Sequence, residues 1–281
     1  MFKSFSKKPL RRFILLLTVG LVIVSAIIFG SLRKATAASV HLTMGNPSGA
    51  ITSTASPDNY LLDKAQYAVS YSNSRRIPNW VSWQLNQSWL GSTPRQNDFR
   101  ADTTLPSGWY QVTTSDYTGS GYDRGHMCPS ADRTNSVTNN SATFLMTNIV
   151  PQAADNNQGY WAELENYERS LVTNNGKELY VIAGGYGSLG TIANGKITIP
   201  ARLFKIIVVT NPGTGAAGVN TSTRVIAIDT PNTQGSRSVN WGNFRTTVDS
   251  IESKTGYDFL SNVSSSVQAV IESTVDTGPT Q

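Results

Sequence analysis

Cysteine and histidine are nearly absent: the 281 residues hold one Cys, Cys128, and two His, His41 and His126. A single thiol excludes an intramolecular disulfide, and two imidazoles with one thiol cannot close a four-ligand His/Cys zinc site. Stability has to come from packing. A surplus of positive charge is also lacking once the chain is divided. Seven of the 23 Lys and Arg and none of the 18 Asp and Glu lie in residues 1–38, so the remainder carries 16 basic against 18 acidic residues, a net −2. The +5 of the whole chain belongs to its first segment, and global charge gives no support to a polyanionic partner.

That first segment is basic, then apolar. Lys3, Lys7, Lys8, Arg11 and Arg12 precede an uncharged run from Phe13 to Leu32, and Ala35 to Ala37 offers a small-residue cleavage site. The run is about 20 residues, longer than the ~7 to 15 of a signal-peptide core and near the ~20 that span a bilayer. Residues 1–38 are therefore expected to be a signal peptide or an N-terminal membrane anchor. In either case the rest of the chain is exported, secreted or periplasmic, because the basic end stays inside.

Residues 39–57 are small, polar and aperiodic, which predicts a flexible lead-in, a folded domain over 58–275 and a short tail over 276–281. Asn79 to Leu85 and Ser141 to Val150 read as strands, the second stopping at Pro151. A helix is expected over Asn156 to Val172, with Trp161, Leu164, Tyr167 or Glu168, and Leu171 on one face and Gly176 as terminator. "ELYVIAGG", "GKITIP", "LFKIIVVT" and "TRVIAID" follow as strands, then helices near Asn243 to Lys254 and Ser264 to Ser273. Strands and helices do not alternate regularly, so the fold class is α+β, with a mixed, largely antiparallel central sheet flanked by helices.

Two motifs are decoys. "GYGSLG", Gly185 to Gly190, matches a dinucleotide fingerprint, but the Asn-Gly and β-branched residues after it favour a turn over the required helix. Around Ser188 the same segment lacks the first glycine of a nucleophile elbow, where Tyr186 stands.

Chemistry concentrates in "YDRGHMCPSADR", Tyr122 to Arg133. A histidine with an unperturbed pKa of about 6.5 is a competent general base, and Asp123 is placed to orient it or a water. The competing reading is a surface turn with an Asp-Arg pair. Cys128 is either a nucleophile activated by His126 or, more commonly for a lone thiol, buried packing. Downstream, Asn157, Trp161, Glu165 and Arg169 recur at i+4, so an amide oxygen, a carboxylate and a guanidinium share one helical stripe. Oxygen donors of this kind suit Mg²⁺ or Mn²⁺; the plain alternative is a surface i, i+4 ion pair between Glu165 and Arg169.

"DRGHMCPSADR", "TFLMTNIVPQ" and "DNNQGYWAELENYER", in that order and spacing, resemble the DNA/RNA non-specific endonuclease family of the Serratia and cyanobacterial sugar-nonspecific type. The resemblance covers Asp58 to Ser273, with "STPRQNDFR" and "TGYDFLSNV" similar to the cyanobacterial members. It implies a ββα-metal catalytic core and hydrolysis of phosphodiester bonds in DNA and RNA to 5′-phosphate ends. By resemblance, His126 is the general base and Asn157 the direct ligand of a single hydrated Mg²⁺, with Mn²⁺ as a possible substitute. Glu165 would reach the metal through water, and Arg95 and Arg169 would bind phosphate. Asn148, Asp123 and Arg124 match further positions of the family's site.

A site made of a metal and arginines reads phosphate, which carries no direct sequence information. With the domain near neutral, affinity is expected from a local groove of Arg95, Arg100, Arg124, Arg133 and Arg169 that weakens with salt. Two alternatives stand beside an endonuclease. One is a metal-dependent phosphodiesterase acting on nucleotides or another phosphoester; the other is an extracellular nucleic-acid-binding protein without turnover.

Overall fold

The computed structural model describes Met1 and residues 39–281. The expected signal peptide or anchor falls, apart from Met1, outside the described residues. In chain order the strands are β1 (Tyr60–Asp63), β2 (Ala68–Ser72), β3 (Ile77–Leu85), β4 (Asp123–His126), β5 (Ile149–Gln152), β6 (Glu178–Tyr186), β7 (Thr191–Ile192), β8 (Ile197–Thr198), β9 (Arg202–Thr210), β10 (Val225–Pro231) and β11 (Arg245–Thr246). The α-helices are α1 (Val137–Ala142), α2 (Ala154–Gln158), α3 (Tyr160–Thr173), α4 (Val248–Thr255) and α5 (Ser265–Ile271).

Seven strands form one sheet in the order β1-β2-β3-β6-β9-β10-β11, and every neighbouring pair is antiparallel. Side chains alternate between its faces, so each central strand feeds two cores. Val81, Trp83, Val181, Leu203 and Ile207 pack with Trp161, Leu164 and Leu171 of α3. Trp80, Ile182, Phe204, Ile206 and Val208 pack with Val248, Ile251, Phe259 and Ile271 of the C-terminal layer. Burial on both faces explains the nearly continuous apolar run of β9, and each fully buried Ile or Leu contributes about 1.5 to 3 kcal/mol. The α+β class with a largely antiparallel sheet flanked by helices is thus the observed architecture.

Strands β4 and β5 pair antiparallel in a separate two-stranded sheet, Asp123 opposite Gln152 and His126 opposite Ile149, and α2 follows at once. This is the ββα unit. Gly125 is required at its centre, since a Cβ there would lie 2.0 Å from Gln152 Oε1.

Several expectations are corrected. Residues 39–57 belong to the folded unit, which begins at Ser39 rather than near Asp58. His41, Met44 and Ala50 are buried, because Ser82 Oγ and Gln84 N both bond to His41 and draw the segment onto β3. Ser141 to Val150 is not one strand: it ends α1, passes through a 3-10 turn at Met146–Asn148 and enters β5 only at Ile149. Pro151 lies inside β5 instead of stopping it, tolerated because β5 has a single partner strand. The helix expected over Asn156 to Val172 is broken at Gly159, whose backbone adopts φ −102° and ψ −121°. A Cβ at Gly159 would sit 2.4 Å from the Arg237 and Asp155 carbonyl oxygens, so that close approach divides α2 from α3. Near the C-terminus, the expected helix starts at Val248, after a 3-10 turn at Trp241–Phe244 and the short strand β11.

Candidate active site

A polar cleft of roughly 670 Å³ opens where the ββα unit meets the loop before it, lined by Arg95, Phe99, Thr114, Asp123, Arg124 and Asn157 among others. Asp123 and Arg124 come from β4, Asn157 from α2, and Arg95 and Phe99 from the Gly/Pro-bearing loop after β3. Four of the residues expected from sequence therefore share one wall.

His126 ends β4 behind that wall and is 8% exposed. Its ring meets Phe99 at 5.2 Å and Phe144 at 4.9 Å, and its Nε2 is enclosed without a hydrogen-bond partner. Burial, then the nearby Arg95 and Arg124 guanidinium groups, lower its pKa to about 3. The imidazole is held neutral, the form that accepts a proton.

Asn157 Nδ2 donates to Asp123 Oδ2 at 2.9 Å, and Gln158 Nε2 donates to the same oxygen at 2.7 Å. Asp123 thus fixes the amide by its nitrogen and leaves the Asn157 carbonyl oxygen free to ligate. Arg95 is held by two bonds, Nη1 to Ser130 Oγ at 2.7 Å and Nε to Asn97 Oδ1 at 2.7 Å, and it stacks 4.8 Å from the Phe144 ring. Arg124 lies 4.3 Å over the Phe99 ring.

Two further expected residues, Glu165 and Arg169, are on α3 and are not among those that line the cleft. Arg169 Nη1 donates to Asp132 Oδ1 at 2.9 Å, and Trp83 Nε1 donates to the other oxygen of Asp132 at 2.9 Å. Glu165, 14% exposed, lies 3.9 Å from Lys205 Nζ; burial raises its carboxyl pKa against the pull of Lys205 and Arg169. Glu165 also acts electrostatically on Arg95, so α3 and the β3 loop converge. The break at Gly159 means that Asn157 and Glu165 sit on two helices rather than on one stripe.

Beneath them is a buried set of charges that sequence reading missed. Lys205 and Glu168 are both fully buried and 3.0 Å apart, and Lys205 Nζ lies 4.4 Å from the Trp161 ring centre. Burial pushes the Glu168 carboxyl up to about 7. A lone lysine inside "LFKIIVVT" was the available signal, as was an acid on the apolar face of α3 beside Leu164 and Leu171.

Other expected residues take different places. Asn148 is wholly buried and fully bonded: Nδ2 donates to the Cys128 and Thr143 carbonyls, and Oδ1 accepts from Cys128 N. It clamps the chain just past His126 and is closed off from solvent. Arg133 is buried too, donating to the Gln66, Gln84 and Asp132 carbonyls and stacking on Trp89, so it leaves the expected phosphate groove. Arg100 is paired with Asp98 at 2.8 Å. Cys128 is buried, with its thiol pushed up to about 12 by burial, which suits packing and leaves no thiolate near neutrality.

These donors fit a hard divalent cation. The amide oxygen of Asn157 and the Glu165 carboxylate are oxygen donors, few enough to suit an ion that keeps several waters.

A family model described as DNA/RNA non-specific endonuclease matches residues 44–266. A nuclease of Nostoc sp. is 56% identical over 239 residues, covering 85% of this chain and 86% of that one. Human mitochondrial endonuclease G is 30% identical over 217 residues, covering 72% of this chain and 70% of that one. The solved EndoG/EndoGI complex, described as revealing the mechanism of EndoG inhibition, matches with a TM-score of 0.67 at 23% identity, covering 82% of this chain and 95% of that chain. That likeness speaks to the fold.

Proposed function

The chain belongs to the DNA/RNA non-specific endonuclease family, and from that premise we propose that it is an exported, Mg²⁺-dependent endonuclease cleaving DNA and RNA to 5′-phosphate ends. The observation that carries the reading is His126, its Nε2 without a hydrogen-bond partner, beside a cleft whose wall presents Arg95, Arg124 and the amide of Asn157.

Hydrolysis needs an activated water and stabilisation of charge on the phosphate oxygens. His126 takes a proton from the attacking water, and its aromatic enclosure keeps it unprotonated beforehand. Arg95 and Arg169 hold the scissile phosphate, each preorganised by a fixed partner, Ser130 and Asp132. A divalent cation held directly by Asn157 and through water by Glu165 would supply Lewis-acid stabilisation of the phosphoryl and leaving oxygens. Mn²⁺ meets the same donor requirements. Asp123 is a positioning residue for Asn157, and Asn148 for the chain beneath His126. Phosphate-directed contacts account for weak sequence selectivity. Export rests on the basic and apolar character of residues 1–38.

The test is cleavage of closed circular DNA and of RNA with and without MgCl₂. Magnesium-dependent cuts within both substrates are expected. Release of mononucleotides with circles left intact would instead indicate a phosphodiesterase, and binding without cleavage a non-catalytic protein.

A further inference from the structure

On the sheet face opposite α3, three carboxylates from two helices meet. Asp249 lies in the first turn of α4, Glu252 one turn further, and Glu272 caps the C-terminus of α5. One oxygen from each lies within 4.8 Å of the others. The chain after α4 folds back over them: Phe259 N donates to Glu252 Oε1 at 2.9 Å, and Asp249 N donates to the Glu272 carbonyl at 3.1 Å.

Acidic clusters on a surface are common, but Glu272 is not a surface residue. It is 5% exposed, and its Oε1 is buried with no hydrogen-bond partner. The charges that act on it are Glu252, Asp249 and Asp258, all negative, and Glu252 likewise feels Asp258 and Asp249 without a balancing cation. Lys254, the basic residue of α4, is committed to Asp229 at 2.7 Å. A buried carboxylate with an open oxygen and no cation beside it either surrenders its charge or is matched by one.

We propose that Asp249, Glu252 and Glu272 form a calcium site that is separate from the cleft and ties α5 to α4. The ligands are three carboxylates, the all-oxygen donor set that calcium takes in flexible geometry, whereas magnesium usually takes one or two carboxylates and keeps its waters. Asp249 is exposed, which gives the ion a route from solvent. The ion fastens the helical layer that carries Val248, Ile251 and Ile271 onto the sheet.

The test uses the domain carrying Asn157→Ala, which removes the proposed cleft ligand, and follows calorimetric titration with CaCl₂ together with thermal unfolding. One calcium equivalent is expected to bind and, at about 100 times Kd, to raise Tm by about 5 to 10 °C. Asp249→Asn, a change at an exposed residue that leaves the core intact, and Glu272→Gln are each expected to abolish both responses. Glu272→Gln should by itself raise the calcium-free Tm, since it removes the buried repulsion. No calcium response in the Asn157→Ala parent, or an undiminished one in Asp249→Asn, would overturn the site. A magnesium shift as large as the calcium shift would overturn the choice of ion.

Discussion

Asp123 and Asn157, 34 residues apart, are joined by a 2.9 Å hydrogen bond in which the asparagine amide nitrogen donates to the carboxylate. The bond decides which end of the amide faces the cleft. Removing it with Asp123→Ala lets the amide rotate, and loss of such an orienting partner typically costs about 10- to 100-fold in metal affinity. The concentration of MgCl₂ giving half-maximal cleavage should rise by that factor, with a smaller change in rate at saturation. An unchanged magnesium dependence would contradict the role given to Asp123.

His126→Ala is expected to lower cleavage by about 10²- to 10⁴-fold, the usual contribution of a general base. The circular dichroism spectrum and DNA binding should persist, because the ring sits at the end of a short strand and leaves the main sheet untouched. Turnover within a few-fold of the parent would remove His126 from the chemistry.

Cys128→Ala is expected to keep activity within about tenfold, equal to ~1.4 kcal/mol of transition-state stabilisation. The thiol is buried and its pKa stands at about 12, so alkylating reagents should leave the native enzyme unmodified over minutes. A larger loss of rate would restore the nucleophile reading.

Arg95 and Arg133 are expected to behave differently although both are arginines of the same region. Arg95→Ala should weaken DNA binding and reduce its salt dependence by about one phosphate contact. Arg133→Ala should leave the salt slope unchanged and lower stability by on the order of 3 kcal/mol, since it leaves three buried carbonyls without their charged donor. Salt titrations of binding and urea unfolding separate the two.

His41 makes the fold acid-sensitive. Its Nε2 bonds to the Ala65 carbonyl at 2.9 Å and its Nδ1 accepts from Gln84 N at 3.2 Å, an arrangement only the neutral ring satisfies. Burial lowers its pKa from 6.5 to about 4. Between these values the unfolded chain binds the proton and the folded one does not. The His41 contribution to stability is therefore full above pH 6.5 and falls by about 3 kcal/mol as the pH drops toward 4, at ~1.36 kcal/mol per unit, and the buried His126 adds a fall of the same sign over that range. Urea unfolding of His41→Gln should show a slope between pH 6.5 and 4 that is shallower by about 1.36 kcal/mol per pH unit, the part owed to His126 remaining, and an identical slope would assign the acid sensitivity elsewhere.

Much of this fold was legible because it follows from local patterns. The strands "ELYVIAGG", "LFKIIVVT" and "TRVIAID" announce themselves by β-branched composition, and the Trp161, Leu164, Leu171 spacing announces the apolar face of α3. Residues 39–57 were illegible for the opposite reason. Their order comes from long-range bonds, such as Ser82 Oγ to the His41 carbonyl across 41 positions, and composition carries no trace of them.

The sequence by itself determined the inventory of chemistry. With one cysteine and two histidines, imidazole chemistry near "DRGH" had few possible owners, and the donors available around Asn157 and Glu165 were oxygens. Tertiary structure decided which groups face the cleft and which are walled off from it. Asn157 is turned by Asp123, Arg169 by Asp132, and Arg133 is drawn inward, while Lys205 and Glu168 meet only because a strand and a helix 37 residues apart pack together. The reason is physical: residue type fixes what a side chain can donate, accept or titrate, whereas burial and partners, set by distant segments, fix whether it is free to do so.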